Sequence, residues 1–139
     1  MTIRQLSVFL ENKAGNLNDA LEILSNNQIN IVALTIADTS EYGIVRLLVS
    51  NPELALDKLR ENKFTVRIHD VLSLEMDPQP GSLHRILERF AEADISMEYV
   101  YAFSYGSKSI VVFRTDNREK ALELIAKYNF NPVTESDLI

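Results

Sequence analysis

The stretch "DPQPGSL", Asp77–Leu83, holds two of the chain's four prolines and one of its four glycines. It leads directly into Leu83, Ile86, Leu87 and Phe90, the spacing of one helix face. A counterpart lies 66 residues earlier: "ENKAGNL", Glu11–Leu17, leads into Leu17, Ala20, Leu21 and Leu24. Both stretches read as an acidic residue, a short loop, a glycine, a polar residue and a leucine. The same offset pairs Leu6 with Leu72, Ile29 with Ile95, Val45 with Val111, Asn51 with Asn117, Ala55 with Ala121 and Phe64 with Phe130, with no gap. A match that stays in phase over this length is an internal duplication, and it decides the fold.

Each copy reads alike. Residues 3–10 form a strand and 16–26 a helix. Residues 29–38, rich in β-branched side chains, and 43–50 form two strands. Residues 52–62 form a helix with Pro52 in its first turn, where the missing N–H does no harm. A fourth strand covers 64–70. The second copy gives strand 71–76, helix 82–93, strands 95–105 and 108–115, helix 117–128 and a short strand near 130–135. The order β-α-β-β-α-β is the split βαβ, ferredoxin-like unit. The expected fold is therefore α+β, with two such units in tandem, at residues 1–70 and 71–139. The junction "RIHDVLSLEM" contains no Gly or Pro, so strand is expected to run into strand and the domains to pack rigidly.

Two helices on one sheet face leave the other face open. In "ISMEYVYAFSY" the apolar parity slips, which predicts a bulge near Glu98. Tyr99, Tyr101, Phe103 and Tyr105 then line the open face; the alternative is that these aromatics are simply core. A patch of that kind is expected to be covered, by the other domain or by a second subunit in a homodimer.

Composition excludes several functions. The chain has no cysteine, which removes disulfides, zinc–thiolate sites and a thiol nucleophile. The net charge is −6, both halves are acidic, and no basic block exists, so nucleic acid is not an expected partner. An RNA-recognition module shares this strand order, and "YGSKSIVVF" faintly resembles its glycine-aromatic strand, but the charge is wrong and the tyrosines cluster on one strand. No apolar run approaches the roughly 20 residues of a membrane helix, and the N-terminus does not read as a signal peptide. A cytoplasmic location, with no membrane, is expected. No residue set reads as catalytic or metal-binding. The two histidines, His69 and His84, stand alone at a strand end and in a first helical turn. No cofactor is expected.

The two loops carry the functional expectation. Asn16 and Ser82 read as helix N-caps, Asn16 with Asp19 as a capping-box-like pair. Gly15 and Gly81 let another molecule reach the backbone. A helix N-terminus suits a carboxylate, and Asn12 offers a donor and an acceptor beside it. A small zwitterion fits such a loop.

With this topology, D/E-x-x-P-G-x-L at the first turn and "INI" after the helix, the chain resembles the ACT domain, a small regulatory module that typically binds amino acids. The resemblance covers the whole chain, twice. Residues 11–17 and "QINI" (28–31) are similar to the serine-binding ACT domain of phosphoglycerate dehydrogenase. That likeness implies ligand contacts from Asn12 and Asn30. Ala14 replaces the family's proline in the first copy. The second keeps Pro80-Gly81 but has Pro78 and Ser96 where the first has Asn12 and Asn30. Sites in the family often join the loop of one domain to the second strand of a neighbour. The candidate ligand-binding residues are thus Asn12, Ala14, Gly15, Asn16, Leu17, Asn30 and Ile31 in the first copy. In the second they are Asp77, Pro80, Gly81, Ser82, Leu83 and Met97, and the first loop is favoured. The implied function is that of a non-enzymatic regulatory protein that senses a free amino acid. The alternative is a ligand-free interaction subunit of a biosynthetic enzyme such as acetolactate synthase.

Overall fold

A computed structural model describes residues 2–38 and 41–138. Met1 and Ile139, the outer ends of the two expected domains, lie outside the described residues. The first half contains β1 (Ile3–Glu11), α1 (Asn16–Asn26), β2 (Ile31–Asp38), β3 (Tyr42–Val49), α2 (Pro52–Glu61) and β4 (Thr65–Met76). The second contains α3 (Ser82–Glu92), β5 (Met97–Tyr105), β6 (Lys108–Thr115), α4 (Arg118–Lys127), β7 (Asn131–Pro132) and α5 (Glu135–Leu138). Two compact units result, Arg4–Asp70 and Val71–Leu138, the latter taking in Ile3. The glycine-free, proline-free junction is a single strand, β4, as its sequence requires.

In the first unit the strand order is β2-β3-β1-β4; in the second it is β5-β6-β4, with β7 also on β4. The 66-residue offset survives in the registers: Leu6 faces Leu47, and Leu72 faces Phe113. Each unit has a core between its helices and one sheet face. Leu6, Val8, Leu24, Leu47 and Leu59 fill the first, and Leu72, Leu74, Phe90, Val111 and Phe113 fill the second.

The helix ends repeat too. α2 and α4 are capped by Asn51 and Asn117, whose Oδ1 atoms accept from Leu54 N–H at 3.2 Å and Lys120 N–H at 3.1 Å. α1 and α3 correct the expected caps. Their N-cap residues are Gly15 and Gly81, at φ 88° and 89°, with no side-chain cap bond. Asn16 and Ser82 stand one position further on, already helical. Asn16 Nδ2 instead donates back to Glu11 O at 2.9 Å. The expected Asn16–Asp19 capping box is absent for the same reason: Asp19 sits four residues past the true cap, and its N–H bonds to Gly15 O at 2.8 Å. The left-handed turn needed between strand and helix favours glycine over a side-chain cap.

All four long helices end in Schellman motifs built without glycine. Gln28, Lys63, Asp94 and Asn129 have positive φ. Each is followed by an apolar residue whose N–H reaches back to the third helical residue from the end: Ile29 to Leu24 O, Phe64 to Leu59 O, Ile95 to Phe90 O and Phe130 to Ile125 O. The apolar pair that closes each motif sits on the core, which holds the strained residue in place.

The bulge at Glu98 is present: the register steps from Met97↔Thr115 to Tyr99↔Arg114. A twin that the sequence did not disclose lies at Val32, between Ile31↔Val49 and Ala33↔Leu48. Past the Glu98 bulge, Val100 and Ala102 lie opposite the core residues Phe113 and Val111, so Tyr99, Tyr101, Phe103 and Tyr105 share the helix-free face. Tyr99, Tyr101 and Phe103 are half-buried and Tyr105 is exposed. The last strand is shorter than expected. Its pairing with β4 closes on Val133, whose N–H bonds to Ser73 O at 2.9 Å, and the chain then turns into α5.

Candidate functional site

The two loops share a backbone. Lys13 N–H bonds to Glu11 O at 2.8 Å and Asn16 N–H to Lys13 O at 3.2 Å; Gln79 N–H bonds to Asp77 O at 2.8 Å and Ser82 N–H to Gln79 O at 3.2 Å. Their side chains differ. In the first loop Lys13 Nζ lies 2.8 Å from Glu11 Oε2. This hydrogen bond, with its charge attraction, holds the Glu11 carboxyl below its usual 4.5 and raises Lys13 above 10.5. Both side chains are exposed, so the pair adds little stability. In the second loop the position of Lys13 is taken by uncharged Gln79. Among the described residues, the Asp77 side chain has no hydrogen bond or ion pair.

A cleft of about 610 Å³ opens beside the second loop. Its walls come from the end of β4 (Glu75, Met76, Asp77), the first turns of α3 (Ser82, Arg85, Ile86, Arg89), the start of β6 (Lys108), and the segment joining α4 to β7 (Tyr128 to Asn131). Arg85 folds back over the start of its own helix. Its Nη2 donates to Ser82 Oγ at 3.3 Å, and its Nη1 lies 2.9 Å from where a Cβ on Gly81 would stand. It has no carboxylate partner among the described residues. The N–H groups of Leu83 and His84 open the helix and have no intrahelical acceptor. Arg89 stacks over Tyr128, its guanidinium 4.7 Å from the ring centre, and Tyr128 stacks on Phe130 at 6.0 Å. The cleft therefore pairs a cationic rim with an aromatic floor. Two groups of opposite charge, Asp77 and Arg85, are left without charged partners in it.

The expected residues do not all meet here. Asp77 and Ser82 line the cleft. Pro80 and Gly81 belong to the loop beside it, and Leu83 and Met97 pack on the core. In the first copy Asn12, Ala14 and Gly15 are exposed, Asn12 being tied by its N–H to Glu41 O at 2.8 Å. Asn16 bonds within its own loop, and Leu17 packs on the core. Asn30 and Ile31 line a separate cleft of about 280 Å³ with Leu21, Ser25 and Gln28. Asn30 N–H is held by Ser50 Oγ at 2.9 Å. Within this unit Asn12 precedes and Asn30 follows the 11-residue α1, a helix roughly 16 Å long. Arg85, Arg89, Lys108 and Tyr128 were not among the expected residues. Arg85 and Arg89 carried one signal, an i, i+4 pair of cations one turn into a helix that follows a glycine loop. Among the described residues no cluster of His, Asp and Glu could hold a metal, and no helix is long and apolar enough to cross a membrane.

The whole chain, residues 1–139, matches the family described as an ACT domain pair. The chain belongs to that family. Protein BT0572 from Bacteroides thetaiotaomicron is 36% identical over 99% of this chain and 96% of its own, with a TM-score of 0.93. The ligand-free regulatory subunit of aspartate kinase from Thermus thermophilus superposes with a TM-score of 0.62 at 12% identity, over 89% of this chain and 91% of that one. The aspartokinase alpha and beta subunits do so at 0.59 and 16%, over 89% and 90%. At these identities the last two likenesses concern the fold. No curated protein matches the sequence. The ACT domain pair is a regulatory, ligand-binding module, and the ferredoxin-like tandem expected from the duplication is its architecture.

Proposed function

We propose that this ACT pair is a non-catalytic sensor of a free α-amino acid, which binds in the cleft at the second loop. The observation that carries the reading is the coexistence of Asp77 and Arg85, both lining the cleft and neither engaged with a charged partner. An α-amino acid presents an ammonium and a carboxylate on one carbon. Asp77 suits the first. Arg85 and the opening N–H groups of α3 suit the second. The groups here bind and orient, and neither His69 nor His84 lines the cleft. The exposed Ile31, Leu34 and Ile36 on the edge strand β2 suit a homodimer or contact with a biosynthetic enzyme in the cytoplasm, through which occupancy is passed on.

A thermal-shift series with the twenty amino acids at millimolar concentration tests the reading. A ligand at one hundred times its dissociation constant should stabilise the fold by about 2.7 kcal/mol. Arg85→Gln and Asp77→Asn should each remove that shift while leaving the unliganded melting temperature nearly unchanged. No shift with any amino acid would sink the sensor reading and favour a ligand-free interaction subunit.

A further inference from the structure

The cleft holds more positive charge than a neutral amino acid can use. It is lined by three cations, Arg85, Arg89 and Lys108, and two carboxylates, Glu75 and Asp77. Once Arg85 and Asp77 are assigned to the carboxylate and ammonium of the ligand, Arg89 and Lys108 remain. Neither is firmly committed. Arg89 pairs with Glu92 at 3.4 Å, an exposed i, i+3 contact of the kind that contributes little. Lys108 Nζ lies 3.9 Å from Glu75 Oε1, at the limit of an ion pair. The other Glu75 oxygen already accepts from Asn131 Nδ2 at 2.5 Å. The Tyr128 ring beneath Arg89 fixes the guanidinium without neutralising it.

Resting on the amino-acid reading above, we propose that the ligand is an amino acid with an acidic side chain. Arg85 takes its α-carboxylate, and Arg89, with Lys108, takes its side-chain carboxylate. Arg85 and Arg89 are four residues apart on α3, so they stand about 5–6 Å apart at Cβ on one helix face, the span of a short dicarboxylate. A neutral side chain leaves Arg89 and Lys108 with only their weak contacts to Glu92 and Glu75. An acidic one neutralises the excess charge.

Calorimetric titration of the intact chain with L-glutamate, L-aspartate, their amides and glutarate decides the matter. One of the two acids should bind roughly tenfold or more tightly than its amide, the usual gap when a charged hydrogen bond is lost. Arg89→Gln and Lys108→Gln, both on the surface, should each narrow that gap and leave the unliganded melting temperature within a degree or two. Amides that bind as well as the acids, or a gap that persists in both variants, overturn the acidic class and leave the amino-acid reading standing. Glutarate binding as tightly as glutamate, with Asp77→Asn silent, overturns the amino-acid reading and leaves recognition of the second carboxylate intact. No binding by any of these compounds overturns the proposal, and the twenty-residue thermal series then decides the broader reading.

Discussion

The loops Glu11–Leu17 and Asp77–Leu83 are the same backbone with opposite electrostatics. Both close on a glycine at φ near 90°, and both launch an 11-residue helix. Yet the first loop satisfies its own acid through Lys13, and the position of Arg85 is occupied there by Asp19. Ile23 and Tyr42 replace Arg89 and Lys108. A duplicated scaffold thus holds one loop whose charges pair locally and one whose Asp77 and Arg85 have no charged partner among the described residues. On the proposed function, backbone geometry fixes where a ligand can approach, and side chains one and two turns into the helix decide whether it stays.

The largest test of this difference goes through the cores. Leu24 and Phe90 are counterparts at the offset, both fully buried. Leu24→Ala should cost about 2–5 kcal/mol and Phe90→Ala about 3–5, read by urea denaturation. The second should do more than destabilise. Phe90 meets Phe113 edge-on at 5.2 Å and Phe130 at 6.3 Å, and Phe130 floors the cleft. Phe90→Ala should therefore weaken ligand binding, whereas Leu24→Ala should not. Equal effects on affinity would break the asymmetry between the copies.

The loop glycines give a smaller and cleaner contrast. Gly15→Ala and Gly81→Ala each force an L side chain to φ near 90°, at about 1–2 kcal/mol. Stability losses should be alike. At Gly15 the new Cβ meets nothing within 4 Å, but at Gly81 it meets Arg85 Nη1 at 2.9 Å and displaces the guanidinium. Only Gly81→Ala should lose affinity, by about tenfold, the loss expected when one charged hydrogen bond goes. Matching losses of affinity in both variants would place the ligand on the backbone alone.

Most of the fold was legible because duplication turns weak local patterns into a repeated one. The Glu98 bulge was visible because a charge interrupts the apolar parity. Its twin at Val32 was hidden because "INIVALTI" is apolar on both faces, so a slipped register leaves no mark. The caps were misread because Asn16 and Ser82 favour N-cap positions in isolation, while the chain's need for a left-handed residue gave that position to glycine. The proposed site was legible as a loop but not as a cleft. Asp77 and Ser82 could be named from the motif, whereas Lys108 and Tyr128 come to line one cleft with Arg85 and Arg89 only once β6 and α4 have packed. Asn12 and Asn30 matched a motif, but the helix between them keeps them apart within their unit.

The smallest predicted effect tests whether the charge difference itself separates the loops. Gln79 occupies the position that Lys13 holds in the first copy. Gln79→Lys should reproduce the first loop's internal ion pair, with the new ammonium reaching Asp77 as Lys13 reaches Glu11 at 2.8 Å. Exposed pairs of this kind contribute about 0.2–1 kcal/mol, so the ligand ammonium should meet a mild competitor and affinity should fall about fivefold or less. The effect should shrink as salt rises, because the competitor is exposed and screened. The reverse change, Lys13→Gln, frees Glu11 but supplies no cation in place of Asp19, so it should create no binding at the first loop. If Gln79→Lys leaves affinity untouched at low salt, Asp77 does not hold the ammonium. The unpaired acid would then be an ordinary solvated carboxylate, and the two loops would differ only in their arginines.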